Sequence, residues 1–247
     1  TKHQKKVYPR KSFLSIEKRV TYFRCTKNMC KRIGTQAMTA SGSIIKNTKK
    51  RSYILTAGHL VWISPLSFSR RLFIYRPGAK VKTVTNYVAT DFWGNKYENL
   101  KMVSYDKDSD LAILRMKKVK IKAIPIAKNA PKIGDPLYNI SAPAGMFQPG
   151  MIPFFKGNFL GYFKYKRSKY KLALTNIPTA KGSSGSPILN SDGHIVGIVS
   201  AVHRRFHHIS FSPTHKQLVN FVKKTLKGEK AYMCLRRAPT SRPTSRP

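Results

Sequence analysis

The apolar positions of this chain come in short runs, many alternating with polar residues, and turn-forming residues separate them. That rhythm has the period of two that strands require. Ala37-Met38-Thr39-Ala40-Ser41-Gly42-Ser43-Ile44-Ile45 reads as an opening strand pair, and a polar turn at residues 47–51 leads into the apolar run at 52–56. Further β-rich runs fall at residues 71–75, 81–88 and 100–105. After a charged, then proline- and alanine-rich connection at 117–131, the pattern resumes at Gly134-Asp135-Pro136-Leu137-Tyr138-Asn139-Ile140-Ser141. A hairpin is expected over 154–166 and 170–175. Residues 188–199 then read as two strands joined by an Asp192-Gly193 turn. The period changes at Leu218, Phe221, Val222 and Leu226, which recur at helical spacing. Ser212 is the expected N-cap, Pro213 the first helical position and Gly228 the end.

The two ends of the chain break this pattern. Residues 1–32 carry Lys2, Lys5, Lys6, Arg10 and Lys11 against a single acid, Glu17. They read as a basic arm that either packs on the body or threads along nucleic acid, with strand-like runs at 13–16 and 20–23. Residues 229–247 contain Pro-Thr-Ser-Arg twice and are too polar to build a core, so a disordered tail or linker is expected. Between them the expectation is a first β-barrel over 33–122, a second over 123–212 and a helix over 213–228.

Composition adds a partner class. The 247 residues include 48 Lys and Arg against 9 Asp and Glu, a formal net charge of +39. Such a surface repels itself and seeks polyanions. Aromatic and basic residues interleave at 159–167, a pattern that suits contact with RNA or DNA. A solvated lysine-rich face is the plainer reading. The cysteines, Cys25, Cys30 and Cys234, are odd in number and do not suggest a disulfide scaffold. Cys25 and Cys30 either pair or bind metal, but nothing nearby completes a zinc set, so buried or free thiols are expected. No run is long and apolar enough to span a bilayer. The chain opens on Thr1 with no apolar signal segment, which reads as a processed or trimmed product.

Three short motifs carry the chemistry. Lys181-Gly182-Ser183-Ser184-Gly185-Ser186-Pro187 places a serine between glycines on a tight loop ahead of a strand. Glycine there lets backbone N–H groups converge where an oxyanion can form. Tyr53-Ile54-Leu55-Thr56-Ala57-Gly58-His59 is an apolar strand that ends in a histidine. Asp110-Leu111-Ala112-Ile113-Leu114 puts an aspartate at the mouth of another, with Asp106 and Asp108 as alternatives in the same acidic run. A serine hydroxyl is a weak nucleophile unless a base takes its proton and a third group orients that base.

The order His59, Asp110, Ser184 and the residues around each member resemble the trypsin-like serine peptidases, from about Gly34 to Leu226. The branch that looks most similar holds the bacterial glutamyl endopeptidases, the high-temperature-requirement proteases and many viral polyprotein proteases. Thr179-Ala180-Lys181-Gly182-Ser183-Ser184-Gly185 also fits the Thr-x-x-Gly-x-Ser-Gly pattern of some plant-virus proteases. The resemblance implies an all-β, chymotrypsin-like fold of two antiparallel six-stranded barrels, with a C-terminal helix packed on the second. It implies a His59–Asp110–Ser184 triad, an oxyanion hole from the N–H groups of Gly182 and Ser184, and no metal or organic cofactor. Ser200-Ala201-Val202 is the strand expected to pair with an extended polypeptide substrate, and Thr179 and Ala180 are expected in the pocket wall. Pro178 stands where a lysine- or arginine-specific relative has an aspartate. Val199 stands where a glutamyl endopeptidase has a histidine. A small or apolar side chain before the cut is therefore expected. Ser183 replaces the aspartate through which digestive relatives pair with a new N-terminus, so activation by that ion pair is not. The functional expectation is a serine endopeptidase, viral in type, processing a polyprotein or virion proteins inside the virion or infected cell. The alternative is a nucleic-acid-binding or structural virion protein on an inactive scaffold of the same shape.

Overall fold

The structure, a computed structural model, describes residues 8–26, 29–62, 80–164, 170–202 and 208–235, with the backbone alone for Val202 and residues 228–235. The run expected at 71–75, the hairpin tip at 165–169, residues 203–207 and the tail beyond 235 lie outside the described residues. The first part of the chain forms β1 (Phe13–Cys25), β2 (Cys30–Asn47), β3 (Arg51–Ala57), the short helix α1 (Gly58–Trp62), β4 (Lys80–Asp91), β5 (Lys96–Tyr97), β6 (Lys101–Asp106) and β7 (Leu111–Lys117). These strands lie in the order β5-β4-β1-β2-β3-β7-β6. The second part forms β8 (Pro136–Ile140), β9 (Phe154–Phe163), β10 (Leu172–Thr175), β11 (Pro187–Leu189), β12 (Ile195–Ile198), β13 (Ala201–Val202) and β14 (Ser210–Pro213), in the order β12-β11-β8-β9-β10-β14-β13. The ladders within both sheets are antiparallel.

Each sheet therefore has seven strands, where six were expected. In the first, the additional strand comes from the segment whose charge suggested an arm. β1 is paired along its whole length, with β2 on one side and β4 on the other. Its Leu14, Ile16, Lys18, Val20 and Tyr22 are buried, so the strand period was present beneath the basic residues. Lys18 follows its apolar neighbours into the interior and donates from Nζ to Val61 O at 3.0 Å. At the far end of the β1–β2 hairpin, Cys25 and Cys30 face each other in register and form a disulfide. This corrects the expectation of buried or free thiols. The pairing of β1 with β2 brings two cysteines five residues apart to a Cα separation of 4.0 Å.

Helix α2 (His215–Leu235) closes the fold. Its cap is Thr214, not Ser212. Thr214 Oγ1 accepts from Gln217 N at 3.3 Å, and Gln217 Oε1 accepts from Thr214 N at 2.9 Å, a reciprocal capping box. Ser212 lies in β14 and takes the N–H of Ile198 instead. The helix also runs through Gly228, where an end was expected. One interior glycine costs only about 1 kcal/mol, and the Glu229-Lys230-Ala231 that follows favours helix. Leu218, Phe221 and Val222 enter a core shared by both sheets, with Phe13, Leu55, Leu111 and Ile113 from the first and Ile140, Leu189, Ile195 and Ile198 from the second. The helix thus packs on both sheets rather than on the second alone. No helix among the described residues is long and apolar enough to cross a membrane.

Candidate active site between the sheets

His59 and Asp110 are brought together by the packing of two strand ends. β3 and β7 pair in register up to Ala57 and Leu111, so the residues just outside that last pair are neighbours. Gly58 N donates to Asp110 O at 2.9 Å. A Cβ on Gly58 would lie 2.9 Å from Leu111 N, so only glycine lets the two turns approach this closely. His59 then makes two contacts with one carboxylate. Its backbone N–H donates to Asp110 Oδ1 at 2.7 Å, and its Nδ1 lies 2.8 Å from Asp110 Oδ2. A carboxylate facing Nδ1 requires the proton there, which leaves Nε2 as the free base of the neutral ring. Ser200 Oγ donates to the same Oδ2. The carboxylate is thereby held from three directions.

The alternative aspartates are engaged elsewhere. Asp106 accepts from Asp108 N at 3.0 Å and Ser109 Oγ at 2.6 Å, and Asp108 accepts from Tyr170 OH at 2.8 Å. The Tyr170 bond joins the approach to β10 to the turn that carries Asp110, and this hydrogen bond raises the Tyr170 pKa.

The serine loop is clamped on both sides. From the first sheet, Ser41 N donates to Ser184 O at 2.7 Å and Ser41 Oγ to Gly182 O at 2.7 Å. From the second, Gly185 N donates to Val199 O at 2.7 Å, and Val199 N returns a bond to Ser186 O at 3.0 Å. Gly185 (φ +84°) sits where a Cβ would come within 2.7 Å of Ala57 N, two residues before His59. The loop and the histidine strand are therefore in backbone contact. Among the described residues no hydrogen bond joins Ser184 Oγ to His59; such bonds commonly tighten only when substrate is bound.

The N–H groups along this loop divide into two sets. Those of Ser183, Gly185 and Ser186 donate to Ala180 O, Val199 O and Ser183 O. Those of Gly182 and Ser184 have no protein acceptor among the described residues. Gly182 has φ +96°, a backbone conformation that glycine adopts without strain. Two free N–H groups at alternate positions beside a partly exposed serine hydroxyl can stabilise a developing oxyanion.

Of the residues expected to contact substrate, Ala180 is exposed, and Thr179 Oγ1 is buried with no partner among the described residues. Ala201–Val202 pairs with β14 as strand β13. Ser200, expected beside the substrate, turns its hydroxyl to the Asp110 carboxylate. The roles of Ser200 and Ser41 were not visible in the sequence. Neither lies in a motif, and their partners are 90 and 141 residues away. A cavity of about 850 Å³ lies elsewhere, between β6 and α2, and opens onto neither His59 nor Ser184. No cluster of metal-ligating side chains occurs among the described residues.

Comparison with known proteins gives one family. The model of the trypsin-like peptidase domain matches residues 40–198, well over half of the chain. No curated protein sequence matches. Among solved structures, the active form of the Rv3671c protease from M. tuberculosis superposes with a TM-score of 0.61 at 16% identity, over 88% of this chain and 82% of that one. An inactive serine-to-alanine mutant of the same protein gives a TM-score of 0.59 at 15% identity, over 88% and 87%. The serine endoprotease from Yersinia pestis gives 0.57 at 18% identity, over 85% of this chain and 62% of that one. At these identities the likeness is one of fold.

Proposed function

This chain belongs to the trypsin-like peptidase family, and from that premise we propose that it is a serine endopeptidase whose triad is His59, Asp110 and Ser184. Ser184 Oγ attacks the scissile carbonyl, and His59 Nε2 takes its proton and returns it to the leaving amine. Asp110 fixes the ring and stabilises the imidazolium. The carbonyl oxygen moves toward the N–H groups of Gly182 and Ser184 as it gains charge. One such donor contributes about 3 kcal/mol to the transition state. The chemistry needs no metal or organic cofactor. The observation that carries this reading is the Asp110 carboxylate, half-buried in a basic protein and bonded to the His59 amide, His59 Nδ1 and Ser200 Oγ. A structural histidine has no need of that arrangement.

The substrate is an extended polypeptide lying along Ser200-Ala201-Val202, with a small or apolar side chain beside Thr179 and Ala180. Polyprotein or virion proteins are the inferred targets, on the likeness of the Thr179–Gly185 pattern to plant-virus proteases. The charge of +39 favours a second reading, contact with RNA or DNA, which does not exclude the first. The test is labelling with a fluorescent fluorophosphonate. We expect one adduct, on Ser184, lost in Ser184→Ala, a variant that stays folded and cleaves nothing. A folded protein that takes no label, or a Ser184→Ala variant that still cleaves, ends the peptidase reading.

A further inference from the structure

The face of the first sheet that meets the serine loop does not end there. Ser41 pairs with Ser15, and its Oγ points at the loop, so alternate residues from this pair share its face. Moving away along the ribbon, the next pairs on that face are Thr39 with Glu17 and Ala37 with Arg19, then Thr35 with Thr21. β4 extends the face on the other side, opposite Arg19 with Asn86 and opposite Phe23 with Lys82. Past the bulge at Tyr22/Phe23, Phe23 pairs with Arg32. One row across three strands is therefore Arg32–Phe23–Lys82, with a half-buried ring between two exposed cations. At about 3.3 Å per residue, the Arg19 row lies about 13 Å from Ser41 and the Phe23 row about 26 Å.

This ribbon is long, paired on three strands and stapled at its tip by Cys25–Cys30, yet among the described residues its outer face is half-buried to exposed. It is also one-sided in charge. Its acids lie at the end near the cleft, where Arg19 holds both oxygens of Glu17, at 2.6 and 2.9 Å, and Glu98 also acts on the Arg19 guanidinium, so the free cations are those of the outer rows. The sequence contains no Asp or Glu from residue 18 to residue 90. We propose that this face is an exosite that binds an acidic segment of the polypeptide substrate while the cleft cleaves elsewhere in the same chain. The inference rests on the peptidase reading and names the substrate class for it. Two observations favour a polypeptide. The face is continuous with the strand that anchors Ser184, so one extended chain can occupy both. Its cations also come in rows separated by Thr21, Thr35 and Val84, not in an unbroken track along which a phosphate backbone could run.

The test compares two triple variants of equal charge. R32Q/K80Q/K82Q strips the face of its unpaired rows, Lys80 being the exposed β4 residue opposite Cys25, and K49Q/K50Q/K118Q removes three charges from exposed turns at the other end of the sheet. Three exposed ion pairs compound to about tenfold. We expect the first triple to lower kcat/KM on fluorescein-labelled casein, an acidic and unfolded protein, about tenfold through KM. Hydrolysis of p-nitrophenyl acetate, too small to reach the ribbon, stays unchanged, and the second triple stays within twofold of wild type on both substrates. Equal losses in both triples, or no loss in the first, overturn the exosite. A parallel fall on the small ester shows damage to the cleft and overturns it as well. Labelled oligoglutamate binding to Ser184→Ala, with and without the first triple, reads the face without catalysis, and loss confined to that triple is expected. If a labelled oligonucleotide loses affinity there while casein turnover is untouched, the face belongs to nucleic acid and the proposal falls. A wild type inert towards the ester, with oligoglutamate binding intact, instead removes the peptidase reading.

Discussion

At the scale of single residues, the site depends on contacts too close for substitution. Gly185 is the clearest case. Its φ of +84° suits glycine, and an added Cβ would lie 2.7 Å from Ala57 N and 2.5 Å from Thr56 Oγ1. Gly185→Ala should cost about 3 kcal/mol or more, because both neighbours belong to a paired strand that cannot retreat. Urea denaturation measures this, and an unchanged midpoint would mean that the loop is looser than its hydrogen bonds imply. Ser200→Ala is a quieter change. It removes one donor from a carboxylate that keeps two, so kcat should fall about tenfold with KM unchanged. A rise in KM alone would mean that the Ser200 hydroxyl acts on the substrate and not through the carboxylate. The same contrast explains what was legible here. His59, Asp110 and Ser184 each sit in a short local motif, and their order along the chain carries the likeness. Ser200 and Ser41 act through backbone and carboxylate groups far away in sequence, and a serine without a motif gives no sign of its partner.

At the scale of elements, the alternation that marks strands was readable wherever apolar residues carried it, as in β3, β7 and β10. β1 was visible only as two strand-like runs, 13–16 and 20–23, because Glu17, Lys18 and Arg19 interrupt its apolar residues and the charge left open whether the segment packs on the body. Lys18 pairs a buried position with a charged side chain. Burial lowers its pKa from 10.5. The folded value therefore lies below the unfolded one, and between the two the unfolded chain holds more protons. Stability should rise with pH across that window, up to about 10.5. Lys18→Met should lack this rise, and urea midpoints at several alkaline pH values would show it. A rise shared equally by the variant would assign it to other groups. The staple at the ribbon tip was also missed, because three cysteines read by count alone conceal the pair that a hairpin makes. Closing so short a loop contributes about 2 kcal/mol by the chain-entropy estimate. In C25S/C30S, amide exchange should quicken in the outer halves of β1, β2 and β4 and stay unchanged at Ala57 and Leu111. Uniform loss of protection would mean that the ribbon and the cleft open together.

At the scale of the whole molecule, the net charge of +39 sets a self-repulsion against the apolar burial that holds the fold together. With 48 cations against 9 anions, few carboxylates can offset the repulsion, and several already have other work. Asp91 accepts from Trp93 N, the amide and side chain of Asn95, and the Tyr97 hydroxyl. Asp106 and Asp108 serve the turn before β7, and Asp110 serves the site. Folding gathers the remaining cations onto one surface, so the compact state bears a repulsion that the expanded chain relieves. Screening shortens its reach from about 10 Å at 0.1 M salt to about 3 Å at 1 M. The thermal midpoint should therefore rise by several degrees over that range. Salt also strengthens apolar burial, so the rise alone does not identify its cause. The K49Q/K50Q/K118Q variant separates the two effects. Removing repulsion should raise its midpoint above wild type at 0.1 M salt, and the gap should close at 1 M, where there is little repulsion left to remove. A gap that persists at high salt would mean that those lysines act by packing or propensity. A variant below wild type at low salt would show that the repulsion is already neutralised by bound anions, which the charge of this surface is suited to collect.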